Sequence, residues 1–177
     1  MTRSRPAAGD YAPYAEQYVV LVSGDDILGA LGNQLKQTTT LFSGRSKRDG
    51  NFRYAPGKWT VKEVVGHVAD TERIFAYRAM RFARGDQTPL SGFEQDDYVR
   101  GARFTERRLA DVVEEYADVR RANLDLFRSL DEEAWRRRGV ANNSPVTVLA
   151  LAYIIAGHEL HHRKIIEERY FPAIPRA

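Results

Sequence analysis

The 177-residue chain contains no cysteine, only four histidines and only short apolar runs. The absence of cysteine excludes disulfides, thiolate metal ligands and a cysteine nucleophile. Apolar stretches such as residues 18–22 are far shorter than the about 18 residues that a membrane-spanning helix needs. The N-terminal segment carries arginines but no apolar core of a signal peptide. We therefore expect a cytoplasmic protein that does not enter a membrane.

Charge of one sign is also scarce, because 27 basic residues face 24 acidic ones and leave a net charge of +3. Basic runs such as residues 136–138 are short and are not interleaved with aromatic residues, as they are on many nucleic-acid-binding surfaces. The composition predicts neither a nucleic acid nor a membrane as partner. It is compatible with a small-molecule substrate.

Helical periodicity dominates the chain, and strand-like alternation is nearly absent. We predict an all-α fold, a four-helix bundle of antiparallel helices, with residues 85–105 as a long crossover between helices 2 and 3 or a lid over a site. Residues 1–24 form an irregular arm whose tyrosines pack on the body, residues 25–170 form the bundle, and residues 171–177 form a tail. The predicted helices cover residues 25–41, 61–84, 105–129 and 144–170, with Thr105 and Ser144 as caps and a short helical turn at 132–135; residues 45–57 are a connecting loop.

Two histidines stand at positions of the last helix where apolar residues belong. In residues 151–170, His158 and His162 follow the spacing of four and three residues that marks the buried stripe. A buried imidazole needs partners for both ring nitrogens, and the i, i+4 spacing is the one that helical metal sites use. His67 falls on the buried face of the second helix and is the natural third ligand. The alternative is that these are core histidines with ordinary hydrogen-bond partners.

Residues 158–162 also match H-E-x-x-H, the motif of zinc metalloproteases. That class takes a third ligand downstream of the motif, yet the 15 residues after His162 contain no histidine. The positions of the extended motif that require Gly and His hold Ile165 and Glu168. The metalloprotease interpretation is therefore disfavoured.

Two blocks, WTVKEVVGHVADTERIFAYRAMRFARGD at 59–86 and AGHELHHRKII at 156–166, resemble the DinB/YfiT-like superfamily of four-helix bundles. The resemblance extends from about residue 25 to residue 170. It implies a divalent metal held by one histidine of the second helix and an H-x-x-x-H pair of the last, which correspond to His67, His158 and His162. His161 has no counterpart in that ligand pattern.

The resemblance also implies a range of activities. Relatives include transferases that use bacillithiol, mycothiol or glutathione, others are assigned as metal-dependent hydrolases, and many form homodimers. Nitrogen ligation suits Zn²⁺, Ni²⁺ or Co²⁺. Three hypotheses follow for this chain, namely metal-dependent transfer from a low-molecular-weight thiol, metal-dependent hydrolysis, and a metal-binding bundle without catalysis.

Four further residues are candidates for supporting roles near the predicted site. Asp70 and Glu63, at i+3 and i−4 from His67, can accept a hydrogen bond from a ligand imidazole. Glu159, Asp70 and His161 are weak candidates for moving protons, because Glu159 is rotated off the ligand face and His161 lies about 100° round the helix from His162. We expect His161 to be a flanking residue rather than a ligand.

Overall fold

A computed structural model of the chain describes residues 4–174. The ends of the predicted arm and tail, residues 1–3 and 175–177, lie outside the described residues. The helices are α1 (Glu16–Val19), α2 (Ile27–Phe42), α3 (Lys47–Asn51), α4 (Val61–Ala83), α5 (Gln95–Ala102), α6 (Leu109–Arg128), α7 (Glu132–Arg136) and α8 (Val148–Ile165), and the strands are β1 (Arg138–Ala141) and β2 (Ser144–Thr147). A π-helical turn, Ile166–Tyr170, extends α8. Within the described part of the chain, no helix is long and apolar enough to cross a membrane.

Four long helices, α2, α4, α6 and α8, form the bundle that the periodicity predicts. Helix α4 packs against α6 and α8, and α2 packs against the same two helices. Near the start of α4, Lys62 donates to the carbonyl of Thr105, just before α6, and in the middle Glu72 pairs with Arg120 of α6. Helices α4 and α6 therefore run parallel, and the prediction that all the helices alternate in direction is wrong at this pair. The predicted crossover between them is confirmed, because a parallel neighbour requires a connection that returns along the bundle.

The start of α4 follows its sequence signal closely. Thr60 accepts a hydrogen bond from the backbone of Glu63, and the Glu63 carboxylate accepts one from the Thr60 amide, which is a complete capping box. The backbone amides of Thr60 and Glu63 therefore both have hydrogen-bond partners at the N-terminus of α4, where the first turn is buried. This cap fixes where the helix begins and so places His67 two turns later.

The start of the last helix differs from the prediction. Asn142 and Asn143 have φ of 50° and 59°, which makes them the two left-handed residues of a tight hairpin turn. Ser144 consequently lies in β2, paired with β1, and does not cap a helix. The cap is Thr147, whose side chain accepts from the Ala150 amide at 3.1 Å. The two asparagines are a hairpin signal that the helical reading of this region missed.

Two other boundaries also differ. The predicted loop at 45–57 contains α3, which a Ser46 and Asp49 capping box starts. Thr105 does not cap α6, which begins at Leu109. Phe104 is buried against Gly66 of α4, where an added Cβ would come within 2.4 Å of the ring. Residues Phe104–Glu106 form a short turn that precedes α6 and holds this phenylalanine against α4.

The N-terminal segment is not irregular throughout, because it contains α1, which packs on α8. The contact is close at Gly157, where an added Cβ would lie 2.0 Å from the carbonyl oxygen of Tyr18. Tyr11 and Tyr18 pack partly on the body as expected, whereas Tyr14 is 53% exposed. Gly157 thus allows α1 to bring Tyr18 beside the histidines of α8.

Buried apolar residues form two clusters with a polar layer between them. One cluster surrounds the C-terminal half of α4 and the N-terminal half of α8, and the other surrounds the opposite halves. Between the clusters each long helix contributes buried polar side chains, which are Gln34, Thr38, His67, Thr71, Glu72, Arg120, His158 and Glu159. The candidate site and its neighbours occupy this layer.

Candidate metal centre

Three histidines from two helices meet in the polar layer. His67 comes from α4, and His158 and His162 come from successive turns of α8. The Nε2 atoms of His67 and His162 each lie 3.1 Å from Nε2 of His158. The candidate ligand atoms of all three lie within 4.8 Å of one another. The structure therefore brings together the three histidines that the sequence selects.

The distances in this histidine triad fit a shared divalent ion. A neutral ring nitrogen has one hydrogen-bonding position in the ring plane, yet two nitrogens lie 3.1 Å from Nε2 of His158. An ion between the three would receive one lone pair from each ring. With Zn–N bonds of about 2.0 to 2.1 Å and tetrahedral angles, ligand nitrogens stand about 3.3 Å apart, close to the separation in the triad.

Burial keeps the triad neutral, as metal ligation requires. Burial lowers the pKa of His67 to about 4, although the charge of Asp96 acts in the opposite direction. Burial, followed by the other histidines, lowers the pKa of His162 to about 3. The pKa of His158 is lowered well below its usual value by burial and by its three histidine neighbours. All three imidazoles are therefore unprotonated at neutral pH, with lone pairs available.

Aromatic side chains form walls around the triad. The Trp59 ring lies 4.8 Å from that of His67 and is stacked at 6.5 Å from that of His162. On the other side, the Tyr18 ring meets that of His158 edge-on at 5.3 Å. Both residues come from segments outside the long helices, and they restrict the access of water to the imidazoles.

The acids predicted beside His67 lie elsewhere. Nδ1 of His67 is 3.4 Å from the hydroxyl of Thr71, one turn along α4. Asp70 accepts instead from Arg73 at 3.0 Å, and burial raises its pKa while that hydrogen bond opposes the rise. The Glu63 carboxylate is engaged in the cap of α4. Thr71 thus occupies the position next to the ligand that was predicted for Asp70 or Glu63.

His161 lies at the edge of the site, as its helical angle predicts. Its ring meets Tyr18 at 5.6 Å and His162 at 5.2 Å, both edge-on. Burial, and then the nearby charge of Lys164, lower its pKa. It is half-buried and is separate from the converging Nε2 atoms. His161 therefore flanks the triad without joining it.

Glu159 belongs to a buried network rather than to a reaction centre. One carboxylate oxygen accepts from Arg120 at 2.9 Å and the other from the Thr38 hydroxyl. Arg120 is fully buried, pairs with both oxygens of Glu72 and donates to Gln34. The proposed general-base role of Glu159 is therefore not supported, since neither oxygen faces the triad without a partner. The sequence analysis missed this network, because a buried arginine has no local signal.

A cavity of about 240 Å³ opens beside the triad. His67 and His158 contribute to its wall, with Tyr18 from the N-terminal segment. Phe93 and its neighbours in the crossover cover the other side, where the sequence analysis considered a lid. Arg78 also lines this cavity. The helical spacing of α4 places it on the same buried stripe as His67, so the sequence could have indicated that it is buried near the site. The triad is thus reached through a space that can hold a small molecule.

Comparisons with known proteins agree with this architecture. The fold is similar to that of YfiT from Bacillus subtilis, a probable metal-dependent hydrolase with an unusual four-helix bundle topology, at 16% identity and a TM-score of 0.69 over 94% of this chain and 91% of that chain. It is also similar to a mycothiol-dependent maleylpyruvate isomerase, at 16% identity and a TM-score of 0.64 over 89% of this chain and 66% of that chain. At such identities the likeness concerns the fold alone. No curated protein sequence matches the chain. The model of the DinB superfamily, however, matches residues 30–166, and the chain therefore belongs to that superfamily.

Proposed function

We propose that this protein is a metal-dependent transferase that acts with a low-molecular-weight thiol on a small-molecule substrate. The proposed metal ligands are Nε2 of His67, His158 and His162. Nitrogen ligation of this kind suits zinc, nickel and cobalt alike.

The observation that carries the proposal is the convergence of three neutral imidazoles, two of which, His67 and His158, line a cavity. Three protein ligands leave a coordination position for an exogenous molecule, which is the arrangement of catalytic rather than structural sites. A structural ion would be better served by a closed set of four ligands. The adjoining cavity gives the exogenous molecule its place.

The carboxylates near the site favour a thiol over water as the nucleophile. A hydrolase needs a base aimed at a bound water, yet Glu159 is held by Arg120 and Thr38, and Asp70 by Arg73. When bound, the divalent ion supplies the charge that holds a thiol as its thiolate. The fold neighbours include both a mycothiol-dependent isomerase and a probable metal-dependent hydrolase, so the choice rests on these carboxylates.

The chain's own residues supply the remaining steps. Because the chain has no cysteine, the thiol must be a small molecule. Tyr18 and Trp59 flank the imidazoles, and the thiol proton passes to solvent through the cavity. The sulfur then forms a bond to the electrophilic carbon, and the leaving group departs with its bonding electron pair.

Metal analysis and a conjugation assay test this function. We expect about one divalent ion per chain after purification without chelator, as three-histidine sites bind one ion. His67→Ala should lose the ion, whereas His161→Ala should retain it. Stoichiometric metal in His67→Ala would exclude the proposed site.

The second step incubates the metal-loaded protein with mycothiol, bacillithiol or glutathione and a chlorinated aromatic electrophile. One of these thiols should be conjugated faster with the wild type and not with His67→Ala. If no thiol reacts while an ester or amide is hydrolysed in a metal-dependent way, the protein is a hydrolase and the transferase proposal is wrong.

A further inference from the structure

The cavity has a second functional end, marked by Arg78. Along α4, His67, Thr71, Phe75 and Arg78 are spaced by four, four and three residues, so they lie on one helical stripe, and all four line the cavity. His67 and Arg78 are eleven residues apart, which corresponds to about 16 Å along the helix axis. Helical side chains lean towards the N-terminus, so the Arg78 side chain extends back towards the triad.

Arg78 is a buried cation without an anionic partner. The residue is only 5% exposed. Its Nη2 donates to the carbonyl of Ser91 at 2.8 Å, and its guanidinium lies 5.3 Å from the ring of Phe75 and 6.0 Å from that of Phe93. Among residues 4–174, no carboxylate forms an ion pair with it. Burial accordingly lowers its pKa, and no nearby carboxylate offsets that effect.

Such a position is costly unless the cation serves a ligand. A guanidinium has five N–H donors in a planar fork, and Ser91 accounts for one of them. Burying a charge without a partner is costly, and the arginine fork matches a carboxylate in shape and charge. Arg120 in the same protein is also buried, but it forms ion pairs with two carboxylates. Arg78 has no such carboxylate partner and faces a cavity instead.

The roof over Arg78 is anchored rather than loose. In the crossover, the Leu90 amide donates to the Val140 carbonyl, and the Asn142 amide donates to the Leu90 carbonyl, both at 2.9 Å. The neighbouring Gly92 lies so close to Asn142 that an added Cβ would come within 2.4 Å of its side-chain oxygen. The hairpin therefore holds in place the segment that carries Ser91 and Phe93.

We propose that Arg78 binds a carboxylate of a reactant and thereby orients that molecule with its reacting atom at the histidine triad. This inference rests on the proposed function for the reaction at the triad, but the carboxylate contact is tested independently. The separation along α4 requires several bonds between the carboxylate and the reacting atom. The carboxylate belongs either to the electrophile or to the thiol, and the experiment separates these sources.

The binding experiment uses benzoate and its neutral isostere benzamide with the metal-loaded, full-length protein in isothermal titration calorimetry. Benzoate should bind more tightly than benzamide to the wild type. Arg78→Gln should weaken benzoate binding by about tenfold or more, as loss of a charge-assisted hydrogen bond does. Arg78→Lys keeps the charge but loses the planar set of donors, so its benzoate affinity should lie between those of the wild type and Arg78→Gln. Arg84→Gln, an equal change of charge at the exposed end of α4, should bind benzoate like the wild type.

Glu94 supplies a sharper control, since it also lines the cavity and is exposed. The Glu94→Gln variant changes the charge of the cavity and leaves Arg78 in place. We expect it to strengthen binding, because removing a negative charge from the cavity favours an anion. Equal affinity of the wild type for benzoate and benzamide, or unchanged benzoate affinity in Arg78→Gln, would overturn the proposal.

Kinetic arms identify the source of the carboxylate. Conjugation is measured with an electrophile and a thiol that each exist in a carboxylate form and a neutral amide form. Arg78→Gln should raise KM only for the reactant whose carboxylate it binds, while metal content stays at the wild-type level. If no conjugation occurs at all but benzoate still depends on Arg78, the transferase function fails and the anion subsite stands. If conjugation occurs without any dependence on the carboxylate, the subsite fails and the function stands.

Discussion

At the scale of the residue, the site depends on imidazoles that are kept neutral by burial. Free histidine has a pKa of about 6.5, whereas the pKa of His67 is lowered to about 4 and that of His162 to about 3. At pH values between the folded pKa of each histidine and about 6.5, the unfolded chain binds protons that the folded chain does not. The contribution of these histidines to stability is therefore fully present above about pH 6.5 and is lost as the pH falls towards the folded pKa values.

This depression predicts an unusual acid resistance of metal binding. Protons compete for the ligand nitrogens only when the folded site titrates, so the metal should remain bound near pH 5 and leave near pH 4, as the pKa of about 4 for His67 indicates. Metal content after gel filtration at a series of pH values measures this, and circular dichroism at each pH reports whether the helices persist. Release with a midpoint near that of free imidazole, with the fold intact, would contradict the pKa shifts.

Among single residues, the ligands could be predicted from the sequence and their charged neighbours could not. His67, His158 and His162 occupy apolar positions of a helical period, and that contradiction is visible locally. Arg120 and Arg121 are adjacent in one helix, yet the first is fully buried and the second has 51% of its side chain exposed. Which of the two arginines is buried depends on the position of carboxylates on other helices, and the local sequence gives no indication of that position.

At the scale of the element, one complete capping box predicted a helix start, whereas a second one, of Ser46 and Asp49, lay in a segment predicted as a loop. The Thr60 and Glu63 capping box begins α4 as predicted. Ser144 followed by Pro145 resembles a helix start as well, but the two preceding asparagines fold back into a hairpin and take Ser144 into a strand. Two local signals competed, and pairing with β1 decided the outcome. Such competition is resolved by tertiary contacts rather than by propensity.

The contact between α1 and α8 gives a prediction at this scale. Gly157→Ala places a methyl group where the carbonyl oxygen of Tyr18 lies, so α1 must shift away, and we expect a loss of about 1 to 3 kcal/mol in the free energy of unfolding. Gly32→Ala is the matched control on α2, where an added Cβ meets nothing within 4 Å and should stabilise the helix by about 0.5 to 1 kcal/mol. Urea denaturation measures both. A gain in stability for both variants would mean that α1 is not held against α8.

At the scale of the whole molecule, the homodimer stays a prediction. The outer face of α4 exposes Tyr77 by 48% and Met80 by 37%, one turn apart, so an apolar strip is available for a second copy. Light scattering at micromolar concentration should give twice the 20.2 kDa chain mass. Met80→Lys should shift the equilibrium towards the monomer, because a desolvated charge disfavours a packed interface. A wild-type mass of one chain would remove the prediction.

The polar layer also acts on the whole molecule, because Arg120 connects all four long helices. From α6 it reaches Glu72 on α4 and Glu159 on α8, and it donates to the Leu31 carbonyl on α2. Its removal leaves two carboxylates buried without their cation, which is much more costly than the loss of a surface pair. The network also holds the residue next to His158, so its geometry and that of the triad are linked.

Arg120→Met should therefore lower the free energy of unfolding in urea by about 3 to 5 kcal/mol, a large share of the total for a domain of this size. Arg121→Met is the matched control, since its ion pairs are at the surface and their loss should cost less than about 1 kcal/mol. Combining Arg120→Met with Glu72→Gln and Glu159→Gln removes the uncompensated charges and should restore part of the lost stability. If Arg120→Met is as stable as Arg121→Met, the network does not join the helices. If the triple variant is no more stable than Arg120→Met, unpaired carboxylates are not the cause of the loss.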